Sequence, residues 1–263
     1  MKKVILITGG TSGIGLYAAK YLKEAGCTVY ELSRRNEGTG AAIHIRADVT
    51  DEAQVKDAVR QVMDAEGRID TVINNAGYGI SGAVEFTETK DAIRQFDVNF
   101  FGMVRVNKEV LPIMRKQRSG RIINISSVAA PIAIPFQAYY SASKSAIRTY
   151  SMALYSEVKP YGIEVCTIMP GDIATGFTDA RKKSAAGDHE YGGRIHRSVE
   201  VMEHDERNGI PSVKAGEYVA KKALAKHVPV VCTLGGKYKF FVFLTRILPN
   251  RVLADLVGLI YAK

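Results

Sequence analysis

Cysteine is scarce in this chain. Cys27, Cys166 and Cys232 are the three in 263 residues, far apart in sequence and with no CxxC pair. That supports neither a disulfide framework nor a cysteine zinc site. Cys27 and Cys166 each stand at or inside an apolar run, so buried free thiols are expected, and a reducing cytoplasm fits them. Long apolar runs are missing too. The opening MKKVILITGG has two lysines and a short apolar run that passes straight into a glycine loop. It is too short for the core of a signal peptide and reads as a strand. The most apolar late stretch, KFFVFLTRIL, is broken by Arg246 and is too short to span a bilayer.

Nucleic-acid signatures are also lacking. Net charge is +9, yet Lys and Arg are scattered and not interleaved with aromatics. No helix-turn-helix, zinc-finger or RNA-binding pattern accompanies them. The excess charge reads as solvated basic surface, and no nucleic-acid partner is expected. No metal site is expected either. His44 lies in a predicted strand as a satisfied core or edge residue. His189, His196 and His204 are spaced too widely for a helix-borne zinc pair and are assigned to solvated surface.

Apolar residues make up 46% of the chain and charged residues 24%, ordinary values for a folded soluble domain. Short β-branched runs alternate with helical patterns. KVILIT, CTVYELS, AAIHIRADVT, RIDTVINNAG, GRIINISS and GIEVCTIMPG read as strands. GIGLYAAKYLKEAG, DEAQVKDAVRQVMDAEG, Lys90–Arg118 and QAYYSASKSAIRTYSMALYSEVKP read as helices. Such alternation implies right-handed βαβ units and a parallel sheet covered on both faces. The segment 176–211 breaks the rhythm. It is polar, mixed in charge and glycine-containing, and is expected to be a long loop that acts as a lid. A helix (Val213–His227), a strand (Val228–Thr233) and a basic apolar tail over 237–263 follow it, with Pro249 between two helical pieces.

The loop TGGTSGIG, Thr8–Gly15, follows a strand and opens a helix. Gly9, Gly13 and Gly15 permit the turn, a close approach to a pyrophosphate and tight helix packing. Thr11, Ser12 and Ile14 complete the loop, and the helix N-terminus offers N–H groups to phosphate. The spacing is GxxxGxG, a departure from the commoner GxGxxG. With NNAG at Asn74–Gly77 and YSASK at Tyr140–Lys144, it resembles the short-chain dehydrogenase/reductase family from Val4 to Thr175. The resemblance implies a single α/β domain over 1–263 with a Rossmann-like, doubly wound parallel sheet in the order 3-2-1-4-5-6-7. It also implies a nicotinamide cofactor and interconversion of an alcohol and a carbonyl.

Hydride transfer to a ketone leaves charge developing on oxygen, and a proton must reach it. A tyrosine does this poorly at its ordinary pKa of about 10, and a lysine cation nearby favours its phenolate. Two tyrosines precede Lys144. On a helix Tyr140 lies about 40° from Lys144, whereas Tyr139 lies roughly 140° away. Helical phase therefore selects Tyr140. Ser127 stands thirteen positions before Tyr140, as in the family, and Ser126 does not. Its hydroxyl can donate to the carbonyl oxygen. Asn99, in DVNFFG, resembles the family asparagine that anchors a water relaying protons from the lysine. The alternative is a polar residue packed within a helix.

The resemblance also assigns Asp48 and Val49 to adenine, and Asn75, Ala76 and Gly77 to the cofactor edge. It assigns Pro170, Gly171, Ile173 and Thr175 to the carboxamide, with Tyr140 and Lys144 also touching the cofactor. Cofactor choice turns on VYELSRR. Ser33 occupies the place of the acid that would bind the ribose 2′-hydroxyl of NAD, and Arg34 and Arg35 follow. Guanidinium groups suit a 2′-phosphate, so NADP(H) is expected, with NAD(H) as the alternative. Glu31 is two residues early and is expected to point elsewhere. The glycine loop lacks the basic residue that some NADP-preferring members carry.

Ser127–Gln137, Pro170–Thr175 and the lid are expected to build the substrate pocket. VAAPIAIPFQA is almost wholly apolar, which suits a small hydrophobic ketone or alcohol. Hydroxysteroid- and retinol-dehydrogenase-like members are closer than ketoacyl reductases, which end soon after the glycine pair matched by Gly235–Gly236. A ketoacyl-thioester reductase is one alternative. A non-catalytic NADP-binding regulator is another, disfavoured because Tyr140 and Lys144 are both present. A homodimer or homotetramer is expected. The tail is assigned to packing or subunit contact rather than to a membrane surface.

Overall fold

The β-branched runs meet edge to edge in the computed structural model, which describes residues 2–262. Met1 and the last tail residue, Lys263, lie outside the described residues. The first half alternates as the pattern predicts: β1 (Val4–Thr8), α1 (Gly13–Glu24), β2 (Thr28–Ser33), β3 (Ile43–Arg46), α2 (Glu52–Glu66) and β4 (Thr71–Asn74). A short β5 (Ile80–Ser81) precedes α3 (Thr89–Phe96), α4 (Gly102–Gln117), β6 (Gly120–Ile125), α5 (Ala138–Val158) and β7 (Ile163–Pro170). Beyond them come β8 (Ile173–Ala174), α6 (Phe177–Ala180), β9 (Lys182–Lys183), α7 (Arg194–Arg207), β10 (Ile210–Pro211) and α8 (Ser212–Leu224). The chain ends in β11 (Val231–Leu234), α9 (Gly236–Leu244) and α10 (Asn250–Tyr261).

The main sheet runs β11-β7-β6-β4-β1-β2-β3, every pair parallel. Counted along its own strands, this is the expected order 3-2-1-4-5-6-7 of a single Rossmann-like α/β domain. Successive side chains of β1 serve opposite faces. Leu6 joins one core with Leu32, Val59, Val110 and Ile122, while Ile5 and Ile7 join another with Ala18, Leu22, Ile168 and Val219. Burial on both faces is why these strands read as nearly continuous apolar runs.

Three expectations change. The helix over 90–118 is interrupted by a π-helical turn at Asp97–Phe101, which carries Asn99. The segment 176–211 is no structureless loop, because α7 spans fourteen of its residues. Ile195, Ser198 and Met202, spaced on one helical face, are buried among the charged residues that hid the period. Cys166 is buried, but Cys27 is only half-buried at the mouth of β2. Strand neighbours also bring Cys166 Sγ to 3.9 Å from Cys232 Sγ, both free. None of the described helices is long and apolar enough to cross a membrane.

A buried amide network ties the sheet to the helices beneath it. Asn74 Nδ2 donates to Asn107 Oδ1 (2.9 Å) and to Asn124 Oδ1 (2.8 Å), and Asn124 Nδ2 donates to Ser151 Oγ (2.8 Å). Removing one member strands a desolvated partner and opens a small cavity. Asn124→Ala is expected to lower the unfolding free energy by about 2–4 kcal/mol, read by urea denaturation.

Candidate active site

The connections leaving the C-terminal ends of β1, β4, β6 and β7 open a cleft of about 400 Å³. This is the edge where open α/β sheets bind ligands. The glycine loop forms one wall. Gly9 sits at φ +67°, and a β-carbon on Gly15 would lie 2.4 Å from the Gly9 carbonyl oxygen. Asn75 Nδ2 donates to Gly9 O (2.9 Å) and Thr8 O (3.1 Å). Thr8 Oγ1 in turn accepts the N–H groups of Asn75 and Ala76 at 3.0 Å each. The two crossovers are thereby stitched together. Ser12 precedes α1 without a capping side-chain bond, so the first-turn N–H groups are left for an anion.

At the tip of β2 the buried Ser33 Oγ has no partner among the described residues, Arg34 is exposed, and Arg35 reaches the cleft wall. Glu31 indeed points elsewhere. It is 1% exposed and its carboxylate meets His44 Nδ1, whose Nε2 lies 3.1 Å from Arg35 O. Asp48 Oδ1 accepts Thr50 N–H (2.9 Å) and Oγ1–H (2.8 Å). Burial raises its pKa, but the Thr50 bonds and the Arg34 and Arg94 charges outweigh this and hold it below the usual range. The glycine cradle, the open helix terminus, the orphaned Ser33 hydroxyl and Arg35 together fit a dinucleotide of the NAD(P)(H) class. Among the described residues no cluster of three His, Cys, Asp or Glu side chains could hold a metal ion.

The reacting groups converge on the far wall. Ser126 is buried and donates to Lys144 O (2.7 Å), a structural bond. Ser127 instead lines the cleft and accepts Ala129 N–H at 3.1 Å. Lys144 is 5% exposed, its Nζ donates to Ile125 O (3.0 Å) and stands 5.6 Å from the Tyr140 ring centroid. Burial pushes its ammonium down to about 8. Burial also pushes the Tyr140 phenol up to about 12. The Ser127 bond draws it down, Glu206 raises it, Arg181 lowers it and Asp172 raises it. Tyr139 does not line the cleft, and its hydroxyl lies 3.5 Å from Val84 O.

Asn99 is buried in the π-helical turn. Its Oδ1 accepts Tyr78 N–H (3.0 Å), and its Nδ2 donates to Tyr78 O (3.0 Å) and Ser143 Oγ (3.2 Å). The missing side chain of Gly77 leaves a small space beside it. A β-carbon there would be 3.1 Å from Asn99 Oδ1 and 3.6 Å from Lys144 Nζ. Of the predicted residues, Thr11, Gly15, Ser33, Arg34, Asp48, Val49 and Asn99 do not line the cleft itself, and the others do.

The expected pocket segments do line the cleft. Phe177, Ala180 and Glu206 come from 176–211, and Asp172 from Pro170–Thr175, although the sequence singles out none of the four. Tyr78 and Ile125 lie outside the expected segments. The expectation of a mainly apolar lining changes: two carboxylates, Asp172 and Glu206, stand in the wall. Glu206 pairs with the buried Arg181 and accepts Thr178 Oγ1–H at 2.7 Å. Phe136 takes φ +57°, uncommon for a bulky residue, and its ring packs edge-on to Tyr191 at 5.7 Å, joining the 128–137 loop to the 176–211 segment.

Comparison with known proteins places this geometry. A family model for short chain dehydrogenases matches residues 3–186. The chain is 43% identical over 236 residues to a 3-ketodihydrosphingosine reductase of Bacteroides thetaiotaomicron, covering 89% of this chain and 88% of that one. It is 30% identical over 251 residues to a probable short-chain type dehydrogenase/reductase of Helicobacter pylori, covering 93% of each. A short-chain dehydrogenase from Streptomyces avermitilis superposes with a TM-score of 0.81 at 28% identity, over 98% of this chain and 96% of that one.

Proposed function

This chain belongs to the short-chain dehydrogenase/reductase family, oxidoreductases acting on CH–OH and ketone groups with NAD(P)(H), and from that premise we propose that it reduces a long-chain ketone with NADPH. The observation that carries the proposal is the meeting of Tyr140, Ser127 and Lys144 in one cleft whose other end presents Arg35. The 43% identity to a 3-ketodihydrosphingosine reductase supports a ketone of that class, a long-chain 2-amino-1-hydroxy-3-ketone.

The glycine loop would hold the pyrophosphate of a nicotinamide cofactor, with Ile173 and Thr175 at its carboxamide, and the cofactor would supply the hydride for the carbonyl carbon. The chain's own residues do the rest. The Ser127 hydroxyl donates to the carbonyl oxygen and holds it in place. Tyr140 delivers its phenolic proton to that oxygen as charge develops there. Lys144 supplies positive charge that eases this loss, and reprotonation runs through the space that Gly77 leaves between Lys144 and Asn99. Val128, Ala129, Ile134 and Phe177 line the same cleft and give the chain an apolar wall. The segment 176–211 covers the substrate end.

In this reading the protein is cytoplasmic and associates as a homodimer or homotetramer. The exposed outer face of α9 and α10, with Phe240, Phe243, Val252 and Leu259, is where a second copy packs. A monomer in sedimentation together with vesicle binding would assign that face to a membrane surface instead. The catalytic proposal is tested by following NADPH oxidation with 3-ketodihydrosphingosine, a steroid ketone and acetoacetyl thioester. The long-chain ketone is expected to show the highest kcat/KM. Turnover of the thioester alone would replace this assignment with a ketoacyl-thioester reductase.

A further inference from the structure

We propose that the carboxylate of Asp172 is the counter-charge for a cationic substrate group, an ammonium beside the reacting carbonyl. This rests on the assignment of the cleft to ketone reduction. Asp172 follows Pro170 and Gly171 at the end of β7 and lines the same cleft as Tyr140. The two residues share one cleft of about 400 Å³, so a cation held by Asp172 sits in the same cleft as the reacting carbonyl.

Asp172 is built into this position. A β-carbon on Gly171 would fall 2.1 Å from the Tyr238 ring. Only a glycine there lets the ring of α9 lie on the strand end, and from there the Tyr238 hydroxyl donates to Asp172 Oδ2. No ion pair to Asp172 occurs among the described residues. The nearby cations are otherwise engaged: Arg181 pairs with Glu206, and Lys237 Nζ stands 4.7 Å from the Tyr238 ring centroid. Burial pushes the Asp172 acid up; the Tyr238 bond and the Lys237 and Arg181 charges pull it down without outweighing burial and Asp205. A half-buried carboxylate with no ion-pair partner is costly, and a bound ammonium relieves that cost.

The two cleft carboxylates are not equivalent. Both Glu206 oxygens already have partners, one from Arg181 and one from Thr178, whereas Asp172 has a neutral hydroxyl alone. Charge is also divided among the cleft walls: Arg35 stands on the wall that follows β2, and Asp172 and the neutralised Glu206 stand on the wall near Tyr140. A neutral ketone makes no use of that acid. A 2-amino ketone does.

The test compares two ketones in the full-length protein with NADPH: 3-ketodihydrosphingosine, and the same ketone with hydrogen in place of the amino group. The readout is the ratio of their kcat/KM values. For Asp172→Asn this ratio is expected to fall by about 10–100-fold relative to wild type, the size of one charge-assisted hydrogen bond. Tyr238→Phe keeps the carboxylate and is expected to retain most of the discrimination. NADPH binding followed by fluorescence shows that each variant is folded. An unchanged ratio, or a wild type that does not prefer the amino ketone, overturns the Asp172 assignment alone. Reduction of neither ketone overturns the ketone-reductase reading and this inference with it.

Discussion

Tyr140→Phe is expected to lower kcat for ketone reduction by about 10²–10⁴-fold while NADPH still binds. The substitution removes one oxygen and leaves the ring beside Phe177, 5.8 Å between centroids, so the cleft keeps its shape. Tyr139→Phe is the control. Its hydroxyl meets only Val84 O at 3.5 Å, outside the cleft, and turnover should stay within about twofold of wild type. Full turnover by Tyr140→Phe would leave the acid/base assignment without support.

The same groups fix the sign of the pH dependence. With its pKa pushed up to about 12, Tyr140 stays protonated through neutral pH and can donate throughout. Reduction should therefore be nearly flat from roughly pH 6 to 7.5. Alcohol oxidation needs the phenolate, whose fraction rises about tenfold per pH unit below the pKa. That rise should weaken above Lys144's value of about 8, where the supporting cation is lost.

Much of this site was legible because it follows from local periodicity. The alternation of apolar runs and amphipathic helices pointed to the parallel sheet, the family resemblance to its strand order, and helical phase relative to Lys144, with the spacing to Ser127, to Tyr140 over Tyr139. The rest depends on contacts between distant segments. The π-helical turn at Asp97–Phe101 inserts one residue into an otherwise helical pattern, which no amphipathic period announces. The core face of α7 consists of Ile195, Ser198 and Met202 among charges, too sparse to read as a helix. Cys166 and Cys232 are neighbours only because β7 and β11 pair. Asp172 stood in the sequence as one unremarked residue of a segment expected to serve both cofactor and substrate. Its hydrogen bond to Tyr238, which returns from α9 to lie on Gly171, joins segments 66 residues apart.

The double substitution Ser33→Asp with Arg35→Ser is expected to shift the NADPH-over-NADH preference in kcat/KM by about 10³-fold or more toward NADH. Two effects act together. Loss of Arg35 removes a guanidinium on the cleft wall, worth about 1.5–3 kcal/mol for a charge-assisted bond to a 2′-phosphate. The new carboxylate repels that phosphate and offers an acceptor to a 2′-hydroxyl. The acid already present in β2 cannot take this role. Glu31 is buried, its carboxylate faces His44, and a β-carbon on Gly10 would lie 2.6 Å from Glu31 Cβ, so the glycine loop closes over it. Ser33, by contrast, ends β2 with a buried hydroxyl that lacks a partner among the described residues. Arg34 is exposed and off the cleft wall, so Arg34→Ser alone should move the preference less than Arg35→Ser alone. Steady-state kinetics with both cofactors reads each ratio. Equal use of NADH and NADPH by the wild-type protein would overturn the assignment of Arg35 to the 2′-phosphate, because a guanidinium in contact with that group cannot be indifferent to its removal.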